Sequence, residues 1–227
     1  MNTVFFKNLG LIDFKEAWGV QEALLDSVVS DKRKGVKTKS FLLFCQHPHV
    51  YTLGKSGDKK NMLLDPGGLS QKGASFYKIN RGGDITYHGP GQLVVYPIFD
   101  LDNFFTDIHK YLRFLEKVVI SVLSNYSING LRVDGSTGVW VKNKDGGVNK
   151  ICAMGVRASR WVTMHGLAFN VNVDLNYFKN IVPCGISDKG VTSLCSELQM
   201  DVPFEDVVAL FKAGFEDVFN ISLIDFK

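Results

Sequence analysis

The sequence contains few cysteines, and none of them is close to another. Its four cysteines are Cys45, Cys152, Cys184 and Cys195, so no CxxC pair occurs. This spacing fits neither the disulfide framework of a small secreted domain nor a zinc-binding knuckle. We therefore expect free thiols and a reducing compartment, which is the cytosol.

The sequence also lacks long apolar runs and a large excess of charge of one sign. No apolar stretch approaches the roughly 20 residues of a membrane span, and the first residues lack the pattern of a signal peptide. Lysine plus arginine number 26 and aspartate plus glutamate 23, which gives a formal net charge of +3. These features predict a cytoplasmic protein that binds neither membrane nor nucleic acid.

Three familiar functional patterns are missing as well. The chain has no GxxxxGK[ST] phosphate loop, no GxGxxG dinucleotide fingerprint and no GxSxG nucleophile elbow. The sequence pattern therefore gives no support to nucleotide binding at a Walker or Rossmann loop, or to serine hydrolase chemistry.

Length and apolar periodicity predict one layered domain spanning residues 1–227. A hydrophobic content of 45% over 227 residues is ordinary for a globular chain. Strands clustered in the middle with helices at both ends predict an α+β fold, in which helices flank a mixed β-sheet. The expected helices are 13–29 (with Asp13 as N-cap), 108–122 and 201–219; the expected strands are 41–45, 92–99, 138–142, 150–156 and 167–173; and 55–73 is expected to be a mobile loop.

The stretch RGGDITYHGPGQLVVYPI, from Arg81 to Ile98, combines a glycine-rich polar half with a strand-like apolar half. Gly82 and Gly83 permit backbone conformations that are closed to other residues, and they let a ligand approach the main chain. By itself the stretch is either a tight turn before a strand, with His88 as a satisfied polar residue, or a loop that holds a ligand.

Lys150 is the only charged residue between Asp145 and Arg157. On a regular strand it would share one face with Cys152 and Met154. Lys150 is then either a surface lysine that snorkels to solvent, or a partly desolvated amine that takes and returns protons.

Cys184 lies between Pro183 and Gly185 in a loop-like stretch, NIVPCGISDKGVTSL. The other three cysteines lie in apolar or strand-like settings that are typical of buried fillers. The neighbours of Cys184 would present its thiol instead, which makes it a candidate nucleophile if a base lies near.

Histidines mark two further places. His165 precedes a predicted strand and either faces a ligand or makes a structural hydrogen bond. Cys45, His47 and His49 alternate as metal ligands on a strand would, but Pro48 interrupts them and no fourth ligand is close in sequence. Ordinary packing is therefore the better interpretation of that triplet.

Four motifs in order resemble one enzyme family. They are RGGDITYHGPGQLVVYPI, KICAMGVR, HGLAFNVN and VPCGI, and VYTLGKSGD precedes them. Together they closely resemble the octanoyltransferases of lipoate biosynthesis, over most of the chain from Val50 to Ile186. Cys152 departs from the pattern, because the family usually has a small residue such as alanine there.

The resemblance implies the fold of the biotin/lipoate protein ligase catalytic domain and a catalytic dyad of Cys184 and Lys150. It implies no metal and no cofactor, because the acyl group arrives on the phosphopantetheine of acyl carrier protein. The implied acyl pocket is formed by Arg81, Gly82, Gly83, Asp84, Ile85, Thr86, Tyr87, His88, Ala153, Met154, Gly155, Gly166, Leu167 and Ala168.

The implied reaction moves an octanoyl group from octanoyl-acyl carrier protein to a lysine of a lipoyl domain, through a thioester on Cys184. The implied acceptors are lipoyl domains of 2-oxoacid dehydrogenase E2 subunits and the glycine cleavage H protein. Three alternatives stay open: an amidotransferase between lipoyl domains, an ATP-dependent lipoate or biotin ligase, and a non-enzymatic binder of acylated carrier protein.

Overall fold

The computed structural model of the chain describes residues 1–182 and 190–226, so Cys184 lies outside the described residues. Within them the α-helices are α1 (Phe14–Arg33), α2 (Pro66–Gln71), α3 (Ile108–Ser124), α4 (Leu194–Leu198) and α5 (Phe204–Phe219). The strands are β1 (Asn2–Leu11), β2 (Ser40–Gln46), β3 (Val50–Leu53), β4 (Ser75–Lys78), β5 (Ile85–His88), β6 (Gln92–Ile98), β7 (Leu131–Val133), β8 (Ser136–Lys142), β9 (Val148–Ser159), β10 (Val162–Asn170), β11 (Gly190–Val191) and β12 (Ile221–Asp225).

Most of these strands form one mixed sheet in the order β12-β1-β2-β6-β10-β9-β8-β7. β1 pairs in parallel with β12 and β2, and from β2 to β7 the neighbours are antiparallel. The short β11 pairs in parallel with the beginning of β9. The expected α+β fold, with helices flanking a mixed sheet, is confirmed.

Helices cover both faces of this sheet. In β2, Phe41 and Leu43 join the cluster formed with α1, whereas Leu42 and Phe44 join the larger cluster formed with α3 and α5. The short apolar run predicted as a strand buried on both faces is therefore confirmed. Within the described residues, no helix combines the length and apolar character needed to cross a bilayer.

A second, small sheet, β4-β3-β5, sits beside the large one. Its core contains Tyr51 and Ile85, and it packs against Ile181, which precedes the undescribed segment 183–189. Residues 81–84, which we call the glycine loop, lead into β5. The small sheet therefore supports the glycine loop.

The loop expected at 55–73 contains regular structure, so the prediction of a wholly irregular loop is wrong. Lys59–Asn61 forms a 3-10 turn and α2 follows it. The side chain of Asp65 accepts a hydrogen bond from the backbone N–H of Gly68, and Pro66 occupies the first turn. Both features stabilise a helix start, which makes this short helix favourable.

β10 begins five residues before the expected strand 167–173, so His165 lies inside the strand rather than before it. The turn that joins β9 to β10 contains Arg160 and Trp161, both with positive φ (50° and 64°). Such turns usually contain asparagine or glycine. Here Lys32 Nζ donates to the carbonyl of Arg160 at 2.8 Å, which stabilises the turn.

β9 does not alternate regularly at its beginning. Val139 of β8 pairs with Cys152, whereas the next residue, Trp140, pairs with Lys150. Ile151 is therefore an extra residue on β9, and both Ile151 and Cys152 are buried in the same cluster. The strict alternation of faces expected for this strand is wrong because a β-bulge interrupts it.

The N-terminus of α1 provides a test of the predicted helix N-cap. Asp13 accepts hydrogen bonds from the backbone N–H groups of Lys15 (2.8 Å) and Glu16 (3.3 Å), which confirms it as the N-cap. Asp13→Ala should lower the free energy of unfolding by about 1 kcal/mol, because these N–H groups lose their partner. Urea denaturation measures this loss, and Asp13→Ser should preserve most of the stability; equal stability of all three proteins would contradict the assignment.

Candidate functional site

A cavity of about 430 Å³ lies between the glycine loop, the small sheet and strands β9 and β10. Its walls contain Lys150 and all but one of the residues expected to form a pocket. Those wall residues are Arg81, Gly82, Gly83, Asp84, Ile85, Thr86, His88, Ala153, Met154, Gly155, Gly166, Leu167 and Ala168. Three segments that are distant in sequence therefore meet around one space.

The glycine loop lies directly on β9. The backbone N–H of Gly82 donates to the carbonyl of Val156 at 2.9 Å, and the N–H of Lys55 donates to the carbonyl of Arg81 at 3.0 Å. A Cβ atom added at Gly155 would lie 2.6 Å from the carbonyl oxygen of Gly82. Only glycine at position 155 allows this close approach without a backbone shift.

Arg81 is buried, and its guanidinium group turns toward the small sheet. Nη2 donates to the carbonyl and hydroxyl oxygens of Thr52, at 2.7 and 3.0 Å, and Nη1 donates to the carbonyl of Gly82 at 3.0 Å. Charge-assisted hydrogen bonds of this kind are the stronger ones in proteins. Arg81 therefore fixes the shape of the glycine loop.

Tyr87 does not face the cavity. It is fully buried on the opposite side of β5, where its hydroxyl group lies 2.7 Å from Nδ1 of His49 and its ring stacks on Tyr177 at 4.9 Å. Alternation along β5 explains this, because Thr86 and His88 point the other way. Tyr87 supports the wall rather than forming its surface.

Two buried histidines lie in the wall of the cavity, and both are neutral at ordinary pH. Burial lowers the pKa of His88 to about 3, and the nearby His47 acts in the same direction. Burial also lowers the pKa of His165 to about 3, with repulsion from Arg81 and Arg157 adding to the effect. The wall therefore gains no positive charge from these rings near neutral pH.

His165 has a left-handed backbone (φ 57°) in the middle of β10. Such a conformation costs a non-glycine residue about 1–3 kcal/mol. Its N–H donates to Oε1 of Gln21 at 2.9 Å, and its Nε2 lies 3.2 Å from Oδ1 of Asn80. The structural hydrogen bonds of His165 are thus confirmed; His165 also lines the cavity, and its contact with a ligand stays a prediction.

Lys150 is half-buried and lines the cavity. Its Nζ lies 4.5 Å from the centre of the Trp140 ring, over the face of the indole. Trp140 pairs with Lys150 on one side, and Val191 of β11 pairs with it on the other. Lys150 is therefore held in the sheet interior rather than at a free edge.

The described residues on both sides of the undescribed segment border the cavity. Phe178 lies before the segment and Gly190 after it, and both line the cavity. The N–H of Val182 donates to the carbonyl of Asn61 at 2.8 Å, which fixes the last described residue before the segment.

The described cysteines, Cys45, Cys152 and Cys195, are free thiols. Burial raises the pKa of the Cys45 and Cys152 thiols, which keeps them protonated. Cys195 is only half-buried, and its Sγ lies 3.6 Å from Oδ1 of Asp201. The expectation of a buried filler therefore applies to Cys45 and Cys152 but not fully to Cys195, which lies on the short surface helix α4.

The alternating triplet Cys45, His47 and His49 does not converge on one point. His47 Nε2 lies 2.7 Å from the hydroxyl of Tyr96, and His49 stacks on Tyr177 at 4.1 Å. Among residues 1–182 and 190–226, no group of three or more His, Cys, Asp or Glu side chains is arranged to hold a metal ion.

Sequence reasoning missed much of the apolar wall. The additional lining side chains include Phe14, Ile79, Val94, Tyr96, Ile108, Leu112 and Trp140. Periodicity shows which face of a helix or strand is apolar, but it does not show which apolar residue borders a cavity. Only Trp140 could have been expected in the wall, because it is an aromatic residue in the predicted strand that precedes the Lys150 strand along the chain.

The comparisons with known proteins agree on a family. Residues 13–216 match the lipoyl protein ligase A/B catalytic domain. An octanoyltransferase of Flavobacterium johnsoniae is 59% identical over 208 residues, which cover 89% of this chain and 90% of that protein. An octanoyltransferase of Christiangramia forsetii is 55% identical over 224 residues, covering 96% of each.

Solved structures show the same fold at low identity. A bi-partite lipoate protein ligase of Thermoplasma acidophilum aligns with a TM-score of 0.72 at 15% identity, covering 99% of this chain and 86% of that one. A lipoate-protein ligase A bound with ATP aligns with a TM-score of 0.68 at 16% identity, covering 99% and 88%. The resemblance read from the motifs is thus confirmed, and the chain belongs to the octanoyltransferases of the lipoyl protein ligase A/B catalytic-domain family.

Proposed function

We propose that this enzyme transfers an octanoyl group from octanoyl-acyl carrier protein to a lysine of a lipoyl domain, through a thioester on Cys184. The observation that carries the proposal is the cavity itself: it is mostly apolar, Lys150 lines it, and so do Phe178 before the undescribed segment and Gly190 directly after it. Relatives at 55% and 59% identity that are named octanoyltransferase support the same acyl group.

The cavity suits an eight-carbon chain. Burying six methylenes would contribute roughly 5 kcal/mol, at about 0.8 kcal/mol each. Glycine and alanine on β9 and β10 leave room beside the strands, and Phe14, Val94 and Leu167 supply apolar contacts. The neutral His88 and His165 add no charge that would have to be desolvated.

The first half-reaction loads the enzyme. Lys150 accepts the proton of the Cys184 thiol as a neutral amine, and the thiolate attacks the thioester carbonyl carbon of the donor. The bond from that carbon to the pantetheine sulfur breaks, and the Lys150 ammonium group returns its proton to the departing sulfur. The indole of Trp140, 4.5 Å from Nζ, stabilises the transient ammonium group.

The second half-reaction unloads the enzyme. The neutral amine of the acceptor lysine attacks the acyl-Cys184 carbonyl carbon, so a C–N bond forms and the C–S bond breaks. The attacking nitrogen loses a proton, Lys150 relays it, and the Cys184 sulfur receives it. An amide is more stable than a thioester, so the transfer runs downhill without ATP. The free thiol that this cycle needs is maintained in a reducing compartment, for which we propose the cytoplasm.

Two alternatives predict different requirements. An ATP-dependent ligase would activate a free acid as an adenylate and would not need Cys184. An amidotransferase would need the same covalent step but would take its octanoyl group from a lipoyl domain. The identity of the donor therefore separates it from the proposed reaction.

The dyad is tested by transfer without ATP. Cys184→Ser should lower octanoyl transfer from carrier protein to an apo lipoyl domain by at least about 10³-fold, because the nucleophile is lost. Lys150→Met keeps an unbranched apolar stem but removes the base, and a loss of about 10²- to 10⁴-fold is expected. Transfer by Cys184→Ser at the wild-type rate, or transfer that requires ATP, would contradict the proposal.

The close approach of the glycine loop is tested by Gly155→Ala. The added methyl group would meet the carbonyl of Gly82 at 2.6 Å, and overpacking of this kind costs about 1–3 kcal/mol. We expect the KM for octanoyl-acyl carrier protein to rise about tenfold, since about 1.4 kcal/mol corresponds to that factor. Initial rates over a series of donor concentrations measure it.

A matched control variant separates the effect of a shifted glycine loop from that of a less stable protein. Gly214→Ala places a methyl group in α5, 3.3 Å from Cγ1 of Val118 and away from the cavity. Its KM should equal that of the wild type, whatever happens to its melting temperature. An unchanged KM in Gly155→Ala would show that the loop position does not govern binding of the donor.

A further inference from the structure

A chain of buried side chains connects the glycine loop to the residues that follow β11. The last member contributes its backbone carbonyl, and every other member contributes its side chain. All of these residues are buried, so their polar groups find their hydrogen-bond partners in one another. The links are Arg81 Nη2 to Thr52 Oγ1 (3.0 Å), Thr52 Oγ1 to His88 Nε2 (3.5 Å), His88 Nδ1 to Gln92 Oε1 (2.8 Å), Gln92 Nε2 to Asn170 Oδ1 (2.9 Å) and Asn170 Nδ2 to the carbonyl of Thr192 (2.9 Å).

The last of these links crosses a break in the large sheet. β10 and β11 pair with the same edge of β9, β10 along residues 152–159 and β11 along residues 149–150. The two strands thus lie end to end, and in the described part of the chain no partner strand on this edge continues across Ile151. Asn170, the last residue of β10, spans the break by donating to Thr192.

Lys150 lies at this break. Its backbone carbonyl accepts a hydrogen bond from the N–H of Thr192 at 3.0 Å, and its Cα pairs with that of Val191. The same two residues lie just beyond the undescribed segment that contains Cys184. Asn170 therefore holds the residue that links the Lys150 strand to the end of the Cys184 segment.

We propose that Asn170 is a positioning residue of the transferase: its hydrogen bond to Thr192 holds β11 against Lys150, and thereby sets the placement of the Lys150 amine at the cavity. This inference rests on the proposed function. Asn170 also lines the cavity, but its Nδ2 donates to the carbonyl of Thr192 and its Oδ1 accepts from Gln92. Its role in the reaction thus runs through Thr192 rather than through contact with the acyl chain.

Asn172 offers a matched control two residues further along. Its Nδ2 donates to the carbonyl of Val202 at 2.8 Å, and its Oδ1 accepts from the N–H of Val202 at 3.1 Å. This asparagine also ties the chain after β10 to a later segment, but to Val202, which lies between α4 and α5 and outside the sheet that contains Lys150. Its loss should cost stability without disturbing the dyad.

The test is the single-turnover formation of octanoyl-enzyme from octanoyl-acyl carrier protein, followed by intact mass over a range of pH. For Asn170→Ala we expect the rate at saturating donor to fall about tenfold or more, as for a displaced general base. The half-saturating donor concentration should stay within about twofold of the wild type. The pH midpoint of the rate should move upward, because a displaced Lys150 assists deprotonation of Cys184 less well. Asn172→Ala should match the wild type in all three quantities.

A wild-type rate and pH midpoint in Asn170→Ala would overturn the inference, as would a change confined to the half-saturating concentration or to the melting temperature. Asn170→Ser is the second variant if the alanine protein does not fold. Failure of both to fold, while Asn172→Ala folds, would make Asn170 a structural residue and also overturn it. Absence of octanoyl-enzyme in the wild type is a distinct result, since it would overturn the proposed function itself.

Discussion

The close approach of two backbones is the constraint on which the site depends. The carbonyl oxygen of Gly82 lies so near β9 that a Cβ atom at Gly155 would meet it at 2.6 Å, and the N–H of Gly82 donates to the carbonyl of Val156. This contact joins the small sheet, which supports the glycine loop, to the large sheet, which contains Lys150. Without this contact the cavity would lose the part of its wall that the glycine loop forms.

Most of the polar groups discussed around the cavity form hydrogen bonds within the protein. Arg81 uses its guanidinium to hold the glycine loop to Thr52, and Gln92 and Asn170 bond to each other. Burial keeps His88 and His165 neutral near pH 7, with pKa values of about 3. Neutral histidines and polar side chains that already bond to one another suit a hydrocarbon chain, because these groups keep their partners when the chain enters.

The sequence predicted those features that local chemistry or a combination of motifs determines. Asp13 was readable as a cap because its side chain bonds its own helix, and the apolar run of β2 could only be buried on both faces. The β-bulge at Ile151, the left-handed His165 and the cation–π contact of Lys150 with Trp140 depend on pairing between strands. No local pattern encodes that pairing. The strands β1 and β12 at one side of the large sheet, and the short helix α4, were missed because their sequences carry only weak periodicity.

The covalent step is the central claim, and intact-protein mass tests it most directly. Wild-type enzyme mixed with octanoyl-acyl carrier protein, without ATP, should gain the mass of one octanoyl group, and addition of an apo lipoyl domain should discharge it. Peptide mapping should place the group on Cys184. No mass gain without ATP, together with transfer once ATP and free octanoate are supplied, would contradict the account and identify a ligase.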